Sequence, residues 1–344
     1  MESKMKTALL PVEVVNTLAA LDPKKRLGLG MALMGAPSLW EAGLDGRDVV
    51  VGVIDTGIDQ SHPELAGKVI GSRDYVRDGL SPDKFHYHGT HVAGTIAANK
   101  QLKGVAPGAK LRDYRVLNQH GGGAVEACAQ ALRDAADDGC EIVNLSMGFQ
   151  KEDLPNPDIL HEAVRYAVNK QVLVICAVGN ERDEMGPGAK IYPGYYPEVV
   201  GVGAVKIEDD GSITDAFFSN ENDQVDVSAP GVDILSCAPG GRYMVLSGTS
   251  MASPHASGFA AILLQRGKGR LGKRMTEQAA WEMLKCTTAD IDALGIDPRT
   301  GAGFLTIYPS IPKLRPATEA SGHVMEPIAD LQQNQQFVIP TAYH

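Results

Sequence analysis

Short apolar runs that stop abruptly, each followed by a stretch with helical spacing, constrain this chain most. Val49–Ile54, Leu111–Leu117, Ile142–Met147, Val172–Val178 and Val199–Val205 read as strands, several of them apolar on both faces. Between them His91–Asn99, Val125–Asp138 and Ile159–Asn169 repeat apolar or small residues at helical spacing, and Gly139 follows the second. Strands buried on both faces and alternating with helices imply a mainly parallel central sheet covered on each side. The expected fold is therefore a three-layer α/β/α domain. A hydrophobic content of 44% and a charged content of 22% are enough to fill its core.

The ends of the chain have a different character. Residues 1–25 form an N-terminal extension, 26–310 the α/β body, and 311–344 a tail with Pro312, Pro316 and a run of Gln and Asn at 332–336. Pro11, Glu13 and Asn16 interrupt the apolar stretch Ala8–Leu21, so no clean signal-peptide core survives, although a degenerate signal or pro segment of a secreted protein is the alternative. No run of about 18 apolar residues exists to span a bilayer. The net charge of −10 argues against nucleic acid or an anionic membrane as partner. The basic run from Arg266 to Arg274 reads as a solvated loop. Cys128, Cys140, Cys176, Cys237 and Cys286 are odd in number and lack C-x-x-C spacing, which fits a reducing compartment, and Cys176 reads as a small buried hydrophobe.

Four positions carry chemistry. Asp55 ends the apolar run Val51–Ile54, where the carboxyl end of a parallel strand faces a crevice; alone it is equally a turn cap. His88-Gly89-Thr90-His91 offers two imidazoles. A zinc site from His86, His88 and His91 competes, but a helical His-Glu-x-x-His is absent. Placing the helix start at His91 makes His91 the expected base. Asn180 follows Ala177-Val178-Gly179 and is either an Asx-turn or an oxyanion donor. Ser250 lies in Gly248-Thr249-Ser250-Met251-Ala252-Ser253-Pro254-His255, at the mouth of a helix whose N–H groups and dipole favour a developing anion. A hydroxyl needs an imidazole to take its proton, the imidazole needs a carboxylate to hold its tautomer, and the tetrahedral oxyanion needs donors. Asp55, His91, Ser250 and Asn180 supply these types. A dinucleotide-binding reading, prompted by the many glycines, fails because no G-x-G-x-x-G follows the first strand.

Val51–Gly57, His88–Thr95, Ala177–Asn180 and Gly248–His255 resemble the signature segments of the subtilisin-like serine proteases, in that family's Asp, His, Ser order. The resemblance covers about residues 35–308 and implies a serine endopeptidase with a subtilisin-like fold and no cofactor for its chemistry. It also implies that Gly121, Gly122 and Gly123 on one side and Ser146, Met147 and Gly148 on the other flank the substrate backbone as an added strand. Ala177, Val178 and Gly179 then wall the pocket for the residue before the scissile bond. Ile191, where the family more often has a small residue, makes the base of that pocket shallow. The loop Asn99–Lys103 is too short and too basic to be the family's calcium loop. Another cation is expected near Asp183, Glu184 and Asp226, with solvated carboxylates as the competing reading. The chain most resembles the intracellular subtilisins of bacteria. That implies a cytoplasmic homodimer acting on peptides and proteins, with Leu9-Leu10-Pro11-Val12 crossing the active site as an inhibitory segment.

Overall fold

A computed structural model describes residues 13–15 and 28–315, apart from 155, 273, 274, 309 and 312. The segment Leu9-Leu10-Pro11-Val12 and the tail from 316 onward lie outside the described residues. The strands are β1 (Glu13–Val15), β2 (Val50–Asp55), β3 (Val69–Asp74), β4 (Lys110–Arg115), β5 (Ile142–Leu145), β6 (Leu173–Ala177) and β7 (Val200–Ile207). They continue with β8 (Ile213–Asp215), β9 (Val227–Pro230), β10 (Ile234–Ala238), β11 (Arg242–Leu246), β12 (Thr288–Ala289), β13 (Phe304–Leu305) and β14 (Leu314–Arg315). The helices are α1 (Leu29–Met34), α2 (Ala36–Glu41), α3 (Tyr87–Ala97), α4 (Val125–Asp137), α5 (Pro157–Asn169), α6 (Arg182–Met185), α7 (Thr249–Leu271) and α8 (Glu277–Cys286).

The main sheet runs β12-β13-β9-β7-β6-β5-β2-β4-β3, with β8 and β14 attached beside β7. The pairings from β9 through β7, β6, β5, β2 and β4 to β3 are all parallel. Alternation along each strand divides the core in two. Val51 and Val53 of β2, and Leu173 and Ile175 of β6, face the core shared with α3 and α7. Ile54 of β2, and Val174 and Cys176 of β6, face the core shared with α4 and α5. This is the three-layer arrangement expected from the sequence. A smaller antiparallel sheet, β1-β11-β10, packs β10 against α3.

Two local expectations change. The basic run is helical, not a loop, from Arg266 to Arg270: α7 continues to Leu271 and Lys268 pairs with Glu141 at 2.8 Å. The helix expected from His91 begins at Tyr87, with His86 as its cap, so that Nδ1 of His86 accepts the N–H of His88. Close packing explains the early start. A Cβ on Gly89 would stand 2.5 Å from the carbonyl oxygen of Gly57, so only glycine lets this first turn rest on the end of β2.

Candidate active site

Neighbouring strand ends assemble the site. Because β6, β5, β2 and β4 lie side by side and parallel, residues just beyond their carboxyl ends share one edge, spaced by the roughly 4.8 Å between strands. That edge carries Asn180 after β6, Ser146–Gly148 after β5, Asp55 at the end of β2 and Gly121–Gly123 after β4. The first turn of α7 brings Ser250 to the same edge: its Oγ donates to the carbonyl oxygen of Ser146 at 3.0 Å. Ser146 Oγ in turn donates to the carbonyl oxygen of Ser250 at 2.8 Å. Ser146 is thus a buried anchor for α7, and its side chain does not line a cleft.

The carboxylate of Asp55 is held on two sides. Oδ1 accepts the N–H of Thr56 at 2.7 Å, and His88 Nδ1 lies 2.8 Å from Oδ1 and 3.0 Å from Oδ2. Both side chains are buried. An acceptor-only carboxylate fixes the proton on Nδ1, leaving Nε2 of His88 with its lone pair. Among the described residues no hydrogen bond joins Ser250 Oγ to His88, so the serine in this rotamer rests on Ser146.

His91, expected here, is elsewhere. One turn along α3, it reaches the β10–β11 hairpin, where Nε2–H donates to the carbonyls of Ile234 at 2.9 Å and Met244 at 3.2 Å. It is fully buried, burial pushes its pKa down to about 3, and its Nδ1 has no partner among the described residues. It therefore stays neutral and ties α3 to the hairpin. The two histidines sit three positions apart on one helix, and the starting residue of that helix decides which one meets Asp55.

Asn180 is oriented by Thr249, whose N–H and Oγ–H both donate to its Oδ1, at 2.8 and 2.9 Å. That turns Nδ2 away from the protein acceptors, and among the described residues it donates to none. The N–H of Ser250, in the first turn of α7, donates to no acceptor among the described residues.

The residues expected to wall a substrate pocket also come together. A Cβ on Gly148 or on Gly179 would collide with the side chain of Ile191. Ile191 therefore fills the space between the segments that follow β5 and β6, and is itself buried. Gly179, with φ 103°, holds a conformation suited to glycine. Ala177, Val178 and Met147 are buried as well.

One residue escaped sequence reasoning. Arg115 ends β4, within the segment Leu111–Leu117 that reads from the sequence simply as a strand. Its guanidinium is almost fully buried and donates to Asp74 at 3.0 Å and to both oxygens of Asp78 at 2.7 and 2.6 Å. Nε donates to the carbonyl of Thr56, and the Phe85 ring stacks at 4.1 Å. Thr56 Oγ donates to the carbonyl of His86 and accepts the N–H of Gly89. Arg115 therefore fastens the loop that delivers His88. Three charged residues, Arg112, Asp113 and Arg115, inside the strand segment Leu111–Leu117 were the available signal.

The expected cation position does not form. Asp183 and Glu184 project from α6 as exposed residues, whereas Asp226 accepts from Gly201 N–H and Trp281 Nε1. Among the described residues no three His, Cys, Asp or Glu side chains converge as a metal site, which also removes the zinc reading of His86, His88 and His91. Calcium needs six to eight converging oxygens, and these carboxylates do not fit it. The five cysteines are free, and only Cys286 is exposed. Among the described residues no helix is long and apolar enough to cross a membrane.

Comparison with known proteins agrees with this geometry. Residues 46–303 match the family model described as the subtilase family. The chain is 39% identical over 292 residues to the intracellular serine protease of Paenibacillus polymyxa, covering 81% of this chain and 84% of that protein. It is 37% identical over 285 residues to the major intracellular serine protease of Bacillus subtilis (strain 168), covering 80% and 86%. It is also 38% identical over 237 residues to thermitase of Thermoactinomyces vulgaris, covering 68% and 80%.

Proposed function

The chain belongs to the subtilase family, and on that premise we propose that it is a serine endopeptidase working through Asp55, His88 and Ser250. The observation that carries this reading is the buried Asp55–His88 pair, beside the strand end where Ser250 is anchored. Ser250 Oγ leaves Ser146, gives its proton to Nε2 of His88 and attacks the scissile carbonyl carbon. Asp55 stabilises the imidazolium without taking its proton. The oxyanion accepts from Asn180 Nδ2 and the N–H of Ser250. The imidazolium then protonates the leaving amine, and water activated by the same histidine releases the acyl group.

Substrate geometry follows from the strand order. Segments after β4 and β5 continue past the end of β2, which lies between them. An extended peptide fits that gap as an added strand, between Gly121–Gly123 and Ser146–Gly148. Ile191 makes the pocket for the residue before the scissile bond shallow, favouring small to medium side chains.

Latency is the second part of the reading. Strand β1 pairs antiparallel with β11, with Glu13 opposite Val245 and Val15 opposite Tyr243. Its N-terminal end is thus the end nearer Gly248 and Ser250. A chain continuing that way leads Leu9-Leu10-Pro11-Val12 toward the nucleophile, where Pro11 lacks an N–H for the ladder and disturbs the register needed for cleavage. Relatives named as intracellular support a cytoplasmic setting, for which a latch is useful, and we include a homodimer in the proposal.

Labelling with a fluorophosphonate tests the core of this reading. Ser250 in a chain lacking residues 1–22 should be modified, and Ser250→Ala should abolish both label and peptide hydrolysis. Asn180→Ala should lower kcat by about 10²–10³ with KM little changed. Full-length protein should label and turn over more slowly than the trimmed chain, and equal rates would remove the latch from the proposal.

A further inference from the structure

A cavity of about 350 Å³ lies immediately beside His88, between the loop that leads into α3, the turn before Gly121 and the β10–β11 hairpin. Its walls include Lys84, His86, Gln119, His120 and Arg242, and among the described residues no carboxylate lines it. His86 sets its position: its ring centroid stands 6.5 Å from that of His88.

Gln119 Nε2 and His120 Nε2 hydrogen-bond to each other at 3.2 Å, whereas the charged groups of Lys84 and Arg242 are not neutralised. Neither Lys84 nor Arg242 forms an ion pair among the described residues, on a chain whose net charge is −10. Arg242 is held at the backbone, where its carbonyl accepts from His62 Nε2 at 2.8 Å, and at Nε, which donates to the carbonyl of Pro239 at 3.0 Å. Its two terminal nitrogens remain, the fork that matches a carboxylate. His86 accepts the N–H of His88 through Nδ1, so its own proton sits on Nε2 as a further donor. Burial and the neighbouring His88 and His120 hold its pKa down to about 4, so it stays neutral. Concave walls with unpaired cations focus potential on whatever enters.

We propose that this cavity is an acid-selecting subsite: it takes the carboxylate of an Asp or Glu side chain in the peptide, through Lys84 and Arg242. The position in the substrate follows from strand geometry. Successive side chains of an extended peptide point to opposite sides. If the residue before the scissile bond lies over Ile191, the one preceding it turns toward His88 and this cavity. The proposal rests on the protease reading above.

A peptide series varied only at that preceding residue, with Glu, Asp, Gln and Lys, tests it on the trimmed protein. Expected is a kcat/KM about tenfold higher for Glu than for Gln at low salt, with Lys poorest. The ratio should shrink toward one in 1 M NaCl, where exposed charges are screened beyond about 3 Å. The double variant Lys84→Glu/Arg242→Glu should reverse the order, favouring Lys. A Glu-to-Gln ratio near one on a well-cleaved peptide, or a preference the double variant leaves intact, overturns the subsite. Failure to cleave any peptide of the series overturns the protease reading instead.

Discussion

His88 gives its Nδ1–H to the Asp55 carboxylate at 2.8 Å, while His91, three residues on, gives its Nε2–H to the carbonyl of Ile234 at 2.9 Å. Two imidazoles on one helix thus have opposite duties: one keeps a lone pair beside the cleft and the other is spent on packing.

Substitution separates them. His88→Ala in the trimmed chain should lower kcat/KM by at least about 10⁴-fold. His91→Gln keeps a donor toward the hairpin and should retain activity within a few-fold. It should lose about 1–3 kcal/mol of stability if one carbonyl is left unsatisfied. Steady-state kinetics and denaturant melts check both; a large activity loss in a folded His91→Gln protein would reverse the assignment.

Ile191 packs against Gly148 and Gly179, and on the proposed reading it fills the space a larger substrate side chain needs. Ile191→Gly should raise kcat/KM for Phe or Tyr before the scissile bond by about tenfold or more relative to Ala, since each methylene in such a pocket is worth about 1–3 kcal/mol. Competing peptides analysed by mass spectrometry read that ratio directly.

Arg115 should behave as a positioning residue. Arg115→Met leaves Asp74 and Asp78 facing each other, but both are part-exposed, so water takes up some of the lost hydrogen bonding. We expect a loss near the lower end of the 3–5 kcal/mol seen when a buried pair is broken, about 3 kcal/mol, together with a fall in kcat larger than any change in KM. Arg115→Lys should recover little of the kcat, because an ammonium cannot reproduce the planar fork.

Asp113 gives the stability curve a definite sign. Fully buried, with Ser72 Oγ donating at 3.0 Å, its pKa rises from 3.8 to about 7. Between those values the native state holds a proton that the unfolded chain has released, so this residue lowers stability as pH rises. Asp113→Asn should therefore match the parent near pH 4 and exceed it in Tm increasingly from pH 5 to pH 8. His91 and His255 act in the opposite sense. Burial lowers their pKa values to about 3 and about 4, so their contribution is present above about 6.5 and is lost as pH falls. Thermal melts across that range, on an inactive Ser250→Ala background, measure each slope.

The sequence by itself determined the layers of this protein. Apolar runs such as Val172–Val178, alternating with helical stretches, fit the interior of a parallel sheet, and strand ends in such a sheet make Asp55 and Asn180 recognisable, as a helix mouth does Ser250, because their chemistry is written in short contiguous segments. Three things were decided only by tertiary structure. The choice of His88 over His91 depends on how closely Gly89 packs against Gly57, since that contact sets where α3 begins. Arg115 acquires its role only once Asp74 and Asp78, distant in sequence, are folded around it. Asp183, Glu184 and Asp226 share a charge but no meeting point. Local pattern specifies which face of an element is buried; which side chains meet across elements depends on packing distances that no local pattern contains.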